Sequence, residues 1–279
     1  MTHTITRRPI INKHQHFSGL EMLIAIDIGN SSTNIGYFLD SGLLVQKIAT
    51  HPLRSVDEYS RLMSDFLEQN HIEKTFFSCI ISSVVTSHTA ALKAAAEKLS
   101  ENKDNDIFIL SHQMNTGLNL KVKAPEELGT DRIANAAGAY AAYRAPVAVI
   151  DFGTATTITI VGKNADLIGG SIMPGIGLMN DVLAQRTSKL PKVALEAPGA
   201  GLGTDTAECI RSGLLFGTAG AVERVIDEIE KETGYTFKVV ITGGYAHLAD
   251  TLIKRAHGMN LFLTLEGLRE IYAKNRMEV

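Results

Sequence analysis

The fold is decided by a stretch near the front of the chain, Leu23-Ile-Ala-Ile-Asp27-Ile-Gly29-Asn-Ser-Ser-Thr33. The same pattern returns 124 positions later as Val147-Ala-Val-Ile-Asp151-Phe-Gly153-Thr-Ala-Thr-Thr157. Each copy is an apolar β-run that ends in Asp, followed by a turn containing Gly and a cluster of hydroxyl side chains. Self-similarity at a fixed spacing indicates that one structural unit occurs twice. The sequence therefore predicts a duplicated fold.

Each copy continues into two further strands. The second β-like runs cover residues 34–39 and 158–161, and the third cover residues 43–48 and 167–172. Short polar turns separate them, as in an antiparallel meander. Two meanders are thus predicted, one in each half of the chain.

Helices and strands alternate in the rest of the chain. Helical spacing of apolar residues predicts helices over residues 56–70, 90–99, 132–143, 206–233, 246–256 and 265–274. Apolar β-runs predict strands over residues 76–85, 107–110 and 239–242. This alternation is typical of the α/β class. With a break near Pro146, it predicts a first lobe over residues 22–145, a second over residues 146–279, and a mobile tail over residues 1–21.

Composition restricts the function. The 279 residues carry 27 Lys and Arg against 30 Asp and Glu, a net charge of -3, which disfavours nucleic acid or an anionic membrane as the main partner. No apolar run approaches the roughly 18 residues of a membrane span, and no signal peptide is evident, so we expect a cytoplasmic protein. Cys79 and Cys209 are predicted to be buried thiols, and His88 a surface or capping residue.

The two Asp-Gly-hydroxyl turns suit a phosphate tail with its metal ion. Gly lets the backbone approach a ligand, exposed N–H groups donate to phosphate oxygens, and the carboxylate binds the cation or its waters. The alternative is an ordinary hairpin turn, in which Asp, Gly, Asn and Ser are common for conformational reasons. Two such turns facing each other across a cleft between duplicated lobes favour binding of a nucleoside triphosphate.

Five motifs together resemble type III pantothenate kinase. They are Asp27-Ile-Gly-Asn-Ser-Ser-Thr33, Gly129-Thr-Asp-Arg132, Asp151-Phe-Gly-Thr-Ala-Thr-Thr157, Gly169-Gly-Ser-Ile-Met-Pro-Gly175 and Arg186-Thr-Ser-Lys-Leu-Pro191. The repeated turns also resemble the wider superfamily of acetate and sugar kinases, Hsp70 and actin. The resemblance implies two duplicated ribonuclease H-like (actin-like ATPase) lobes with a cleft between them. It also implies ATP-dependent phosphorylation of pantothenate to 4'-phosphopantothenate, the first step of coenzyme A biosynthesis, by a homodimer that needs Mg²⁺ and a monovalent cation, K⁺ or NH₄⁺.

The resemblance also implies roles for individual residues. It assigns ATP binding to the first turn and to one residue of the second, namely Asp27, Ile28, Gly29, Asn30, Ser31, Ser32, Thr33, Asn34 and Thr154. It assigns pantothenate binding to Gly129, Thr130, Asp131, Arg132 and Thr187. Asp131 is further implied as the catalytic base, Asp27 as a ligand of the divalent cation with ATP, and Asp151 as a ligand of the monovalent cation.

The chemistry of Asp131 can also be argued from its position. Phosphoryl transfer depends mainly on positioning and charge neutralisation, and a carboxylate is a suitable proton acceptor for the attacking hydroxyl. At the head of a helix, backbone N–H groups and the helix dipole are expected to favour the ionised carboxylate. The alternative is that Asp131 only caps the helix and that Arg132 is a solvated residue of its first turn.

Two places depart from the family pattern. Asn30-Ser-Ser-Thr33 stands where the family usually has Asn-Thr-Asn-Thr, which keeps the hydroxyls and loses one amide. Val122 lies where the family often has a tyrosine, so a phenol contact with the substrate is lost. This keeps open a kinase of another small alcohol on the same fold. A non-catalytic regulatory protein of that fold is a further alternative, although the charged residues of both turns and of Gly129-Thr-Asp-Arg132 disfavour it.

Overall fold

The computed structural model describes residues 22–72, 77–100 and 106–276, so the tail predicted for residues 1–21 lies outside the described residues. The chain divides into two compact units. Among the described residues, the first comprises those in the ranges 22–117, 126–138 and 264–276, and the second comprises Leu118–Pro125 and Ala139–Leu263. The sequence predicted a single boundary near Pro146. In the structure, the last helix belongs to the first unit, and the short segment Leu118–Pro125 belongs to the second.

Eleven strands and seven α-helices lie within the described residues. The strands are β1 (Met22–Ile28), β2 (Ser32–Leu39), β3 (Gly42–Ala49), β4 (Phe77–Ser83), β5 (Ile107–Ile109), β6 (Asn119–Leu120), β7 (Val147–Phe152), β8 (Ala155–Val161), β9 (Asp166–Pro174), β10 (Lys238–Thr242) and β11 (His257–Met259). The helices are α1 (Val56–Gln69), α2 (Thr86–Leu99), α3 (Thr130–Tyr143), α4 (Ile176–Arg186), α5 (Thr206–Thr233), α6 (Ala246–Ala249) and α7 (Leu263–Arg276).

The sheet of the first unit has the strand order β3-β2-β1-β4-β5. Strands β1 to β3 form the predicted antiparallel meander, and β4 runs parallel to β1. A continuous apolar run such as β1 is typical of a strand covered on both faces. One core cluster joins Ile24, Ile26 and Ile28 of β1 to buried side chains of α1 and α2.

The sheet of the second unit repeats this arrangement in the order β11-β10-β7-β8-β9-β6. Strands β7 to β9 form the second predicted meander, and β10 and β11 run parallel to β7 as β4 and β5 do to β1. The short strand β6 adds to the far edge, parallel to β9. The predicted α/β class and the duplication of the meander are both confirmed.

Several local predictions need correction. The helix predicted over residues 246–256 ends at Ala249. Further along, the N–H groups of Lys254 and Arg255 both donate to the Glu223 carboxylate. Helix α4 was not predicted. Of the two cysteines, Cys79 is buried as expected but Cys209 is exposed. His88 is almost fully buried and bonded to the Tyr59 hydroxyl, so its assignment to the surface was wrong.

Candidate active site

The first glycine turn joins β1 to β2. Asp27 pairs with Asn34 in the ladder between these strands, and the N–H of Gly29 donates to the Ser32 carbonyl at 3.1 Å. Between them, Asn30 and Ser31 are exposed at the tip of the turn. The predicted phosphate-binding residues thus form a tight hairpin whose amide and hydroxyl groups reach the surface.

Thr33 supports this turn from behind. It is fully buried, and its hydroxyl lies 3.0 Å from that of Thr50, the residue that follows β3. The Thr50 hydroxyl also donates to the Gly29 carbonyl at 2.7 Å. Sequence reasoning missed Thr50, because nothing in its local pattern reveals a partner 21 positions away.

The motif at residues 129–132 is attached to the same edge of the first sheet. In the parallel register, Ser82 of β4 lies beside Asp27 of β1. The Ser82 hydroxyl is 3.0 Å from that of Thr130, and the Thr130 hydroxyl accepts a hydrogen bond from the Ser83 N–H at 3.1 Å. Helix α3 therefore begins next to the end of β4, one strand away from Asp27.

Asp131 lies in the first turn of α3 and is half-buried. Its Oδ1 accepts a hydrogen bond from the Arg132 N–H at 2.7 Å. Burial raises the pKa of Asp131, and this effect exceeds the opposing effects of the Arg132 N–H and the Arg132 charge. The helix start does favour the ionised form, as expected, because the hydrogen bond from the Arg132 N–H lowers the pKa, but desolvation outweighs this effect. Burial also lowers the pKa of Arg132.

The second glycine turn is one residue shorter than the first. Asp151 pairs with Thr157, six positions on, whereas Asp27 pairs with Asn34, seven positions on. The structural counterpart of Thr33 is consequently Thr156, which is also fully buried. Thr154 is exposed at the tip of this shorter turn.

Asp151 lies in a niche made by two glycines. A Cβ atom on Gly153 would lie 3.3 Å from Oδ1 of Asp151, and one on Gly243 would lie only 2.3 Å away. Gly243 also has φ +95°, a conformation that L side chains rarely adopt. Because neither position carries a side chain, the backbone of both glycines can approach this carboxylate closely.

Thr187 follows the end of α4 in the second unit. Its hydroxyl donates to the Leu183 carbonyl at 2.8 Å and accepts a hydrogen bond from the Leu190 N–H at 3.2 Å. Buried Asn180 holds the following segment, since its amide donates to the Val193 carbonyl at 2.8 Å and accepts from the Val193 N–H at 3.2 Å. Asn180 was missed because a side chain bound to distant backbone has no sequence signature.

The first unit thus contains the turn at residues 27–34 and the motif at residues 129–132, and the second contains Asp151, Thr154 and Thr187. A family model described as type III pantothenate kinase matches residues 23–228. A type III pantothenate kinase of Myxococcus xanthus (strain DK1622) is 37% identical over 257 residues, 91% of this chain and 99% of the relative. The chain is a member of the type III pantothenate kinase family.

Family membership confirms the prediction of a pantothenate kinase that uses ATP in coenzyme A biosynthesis. Solved structures support the fold. MreB5 of Spiroplasma citri bound to ADP matches with TM-score 0.52 and 12% identity, over 92% of this chain and 98% of that one. The ethanolamine utilization protein EutJ of Carboxydothermus hydrogenoformans matches with TM-score 0.54 and 12% identity, over 95% and 92%. These neighbours confirm the actin-like fold of this pantothenate kinase.

None of the helices in the described residues combines the length and apolarity needed to cross a bilayer. No three or more His, Cys, Asp or Glu side chains within the described ranges are grouped as a metal site.

Proposed function

We propose that this pantothenate kinase transfers the γ-phosphoryl group of ATP directly to the primary hydroxyl of pantothenate, with Asp131 as the base. The observation that carries this proposal is the attachment of α3 to β4. The bonds from Thr130 to Ser82 and Ser83 hold Asp131 beside the end of β4, where Ser82 pairs with Asp27 of β1. A proton acceptor and a carboxylate suited to a nucleotide-bound cation are therefore held by one rigid sheet.

Asp131 suits the role of base for two reasons. Burial raises its pKa, so the carboxylate accepts a proton more readily than an exposed aspartate does. The hydrogen bond from the Arg132 N–H fixes the orientation of the carboxylate, while lone pairs remain for the substrate hydroxyl. In the proposed step, the hydroxyl proton passes to Asp131 as its oxygen bonds to phosphorus and ADP leaves.

Substrate binding is assigned to groups beside this base. Gly129, Thr130 and Arg132 are proposed to border the pantothenate site, with the Arg132 guanidinium at the polar end of the substrate. The Thr130 hydroxyl is already bonded to β4, so its proposed contribution is to position its neighbours. Thr187 is proposed as a further contact, through the one hydroxyl lone pair that its two hydrogen bonds leave unused.

ATP phosphates are assigned to the two glycine turns. Asn30 and Ser31 are exposed at the tip of the first turn, and Thr154 at the tip of the second. Backbone N–H groups of such tight turns bind anions well. The flanking residues Ile28 and Asn34 belong to the paired ends of β1 and β2, and hold the tip in place.

The carboxylates at the two strand ends fit the implied cations by their chemistry. Asp27 offers the hard oxygen that Mg²⁺ prefers, and Mg²⁺ commonly takes only one or two protein carboxylates together with phosphate oxygens and water. Asp151 offers a carboxylate that the backbone of Gly153 and Gly243 approaches closely, and its negative charge suits K⁺ or NH₄⁺. Such cations would neutralise the charge of the phosphates.

We propose that a homodimer forms through the outer face of helices α4 and α5. These two helices pack on each other. Leu178 and Val182 of α4 are each 44% exposed, and Phe216 of α5 is 39% exposed. Beside Phe216, the exposed residues Gly213, Gly217 and Gly220 leave room for close approach of a second copy, because an added Cβ would meet nothing within 4 Å. Exposed large apolar side chains on neighbouring helices favour an interface there.

The dimer has a direct test. Phe216→Glu should convert the protein to a monomer in sedimentation velocity, while Leu53→Glu, which also places a charge on an exposed apolar position, should leave it dimeric. A monomeric parent protein, or a Phe216→Glu variant that stays dimeric, contradicts this interface.

The reaction is tested by an ADP-release assay with Mg²⁺ and K⁺ over pantothenate and other small primary alcohols. We expect ADP release when pantothenate is the substrate. We propose that the protein acts in the cytoplasm, where ATP is available. Preference for another alcohol would point to Val122, which is half-buried in the described structure, as a determinant of substrate choice. Failure to turn over pantothenate at saturating ATP and K⁺ would remove the proposal.

A further inference from the structure

Thr50 makes three hydrogen-bond contacts with the first glycine turn. Its hydroxyl donates to the Gly29 carbonyl at 2.7 Å and lies 3.0 Å from the Thr33 hydroxyl, and its N–H donates to the Ser31 carbonyl at 3.3 Å. Thr50 itself is fully buried. A residue from outside the turn therefore holds both its backbone and its buried threonine.

The bond to the Gly29 carbonyl controls more than that oxygen. A peptide unit is planar and trans, so the carbonyl of Gly29 and the N–H of Asn30 point to opposite sides of one rigid plane. When Thr50 fixes the carbonyl, it also fixes the direction of the Asn30 N–H at the exposed tip. Rotation of that plane would turn the N–H away and leave the Gly29 carbonyl without its Thr50 donor, which is costly.

The second unit shows that this support is not a necessary part of the repeat. By register, Gly175 occupies the position of Thr50, because its N–H donates to the Thr154 carbonyl as that of Thr50 does to Ser31. A side chain cannot fit there, since a Cβ would lie 2.3 Å from the Thr154 carbonyl oxygen. The hydroxyl of Thr156, the counterpart of Thr33, has no hydrogen-bond partner. The side-chain support is thus particular to the first turn.

We infer that Thr50 is a positioning residue that holds the Gly29–Asn30 peptide in the orientation that binds ATP phosphates. Thr50 is buried behind the turn and acts through the backbone, without touching the nucleotide. The inference rests on the proposed assignment of residues 27–34 to ATP phosphates.

The test compares three variants in steady-state kinetics. Thr50→Val keeps the shape but removes the hydroxyl, and should raise KM for ATP by about tenfold, since the hydrogen bond to the half-buried Gly29 carbonyl is lost. KM for pantothenate should change by less than about twofold. Thr50→Ser keeps the hydroxyl and should restore most of the ATP affinity. Thr218→Val removes another buried threonine hydroxyl, bonded within α5, and should leave both KM values unchanged.

The outcomes separate this inference from the proposed function. If Asp27→Asn weakens ATP binding but Thr50→Val does not, the positioning role is overturned and the assignment of the turn stands. If neither substitution affects ATP, the assignment of the turn itself fails. A Thr50→Ser variant as impaired as Thr50→Val, or equal losses for ATP and pantothenate, would mean that Thr50 only stabilises the fold. Equilibrium ATP binding by Thr50→Ala provides the same comparison if Thr50→Val does not fold.

Discussion

At the scale of single residues, Asp131 carries the clearest expectation. Asp131→Asn removes the proton acceptor, so kcat should fall by about 10² to 10⁴, the usual contribution of a general base. The asparagine oxygen can still accept the hydrogen bond from the Arg132 N–H. Because the desolvated carboxylate is replaced by a neutral amide, the thermal stability of the protein should not fall. A coupled ADP-release assay and a thermal melt measure both quantities.

The matched control for this variant is Asp40→Asn, which removes an exposed carboxylate in the turn between β2 and β3. It should leave kcat unchanged. Asp131→Asn with near-parental turnover would exclude Asp131 as the base.

The pH dependence of activity follows from the same residue. Burial raises the pKa of Asp131 above the ordinary 3.8, and the carboxylate is active only when ionised. Activity should therefore fall as the pH drops through this raised pKa, giving an acid limb above the range of an exposed aspartate. The measurement is kcat/KM for pantothenate against pH. If the residual activity of Asp131→Asn shows an acid limb at the same pH as that of the parent protein, the limb belongs to another group.

At the scale of elements, the crossing of α7 over α3 supports the helix that carries Asp131. A Cβ on Gly267 of α7 would lie 1.8 Å from the Ala134 carbonyl oxygen of α3, and the Thr264 hydroxyl donates to Asn135 at 2.8 Å. Gly267→Ala should therefore force the helices apart and lower the free energy of unfolding by about 1 to 3 kcal/mol. Urea denaturation measures the loss. Gly199→Ala, with nothing within 4 Å, is the control, and equal stability of the two variants would refute the close crossing.

At the scale of the whole molecule, His88 links stability to pH. Burial, followed by the charges of His51 and Arg54, lowers its pKa from 6.5, and its Nδ1 lies 2.9 Å from the Tyr59 hydroxyl. The unfolded chain thus binds the proton more tightly, so stability is full above pH 6.5 and falls as the pH drops towards the lowered pKa. Urea titrations between about pH 5 and pH 8 should show that the free energy of unfolding changes less steeply with pH in His88→Gln. Replacement of exposed His247 by Gln should leave this pH dependence intact, and equal slopes in all three proteins would contradict the prediction.

Much of the fold could be predicted from the sequence. The meanders follow from period-two patterns and turn residues, and α5 begins at Thr206 and ends at Thr233 as predicted. Errors occurred where distant partners decide local structure. The segment after Ala249 has a helical pattern, but its Lys254 and Arg255 N–H groups donate to the carboxylate of the distant Glu223. His88 was misassigned because its burial depends on Tyr59, which lies 29 positions earlier on another helix.

The sequence by itself determined the duplicated α/β fold, the positions of the glycine turns and the kinase family, because these depend on local patterns and short motifs. Only the tertiary structure decided how those motifs are supported. Thr50, Ser82 and Asn180 reach backbone or side chains far along the chain, and no local pattern encodes such pairs. Burial likewise decided that the pKa of Asp131 is raised. Desolvation depends on the surrounding packing, and it outweighs the lowering of the pKa by the N–H groups at the helix start, which the sequence alone had indicated.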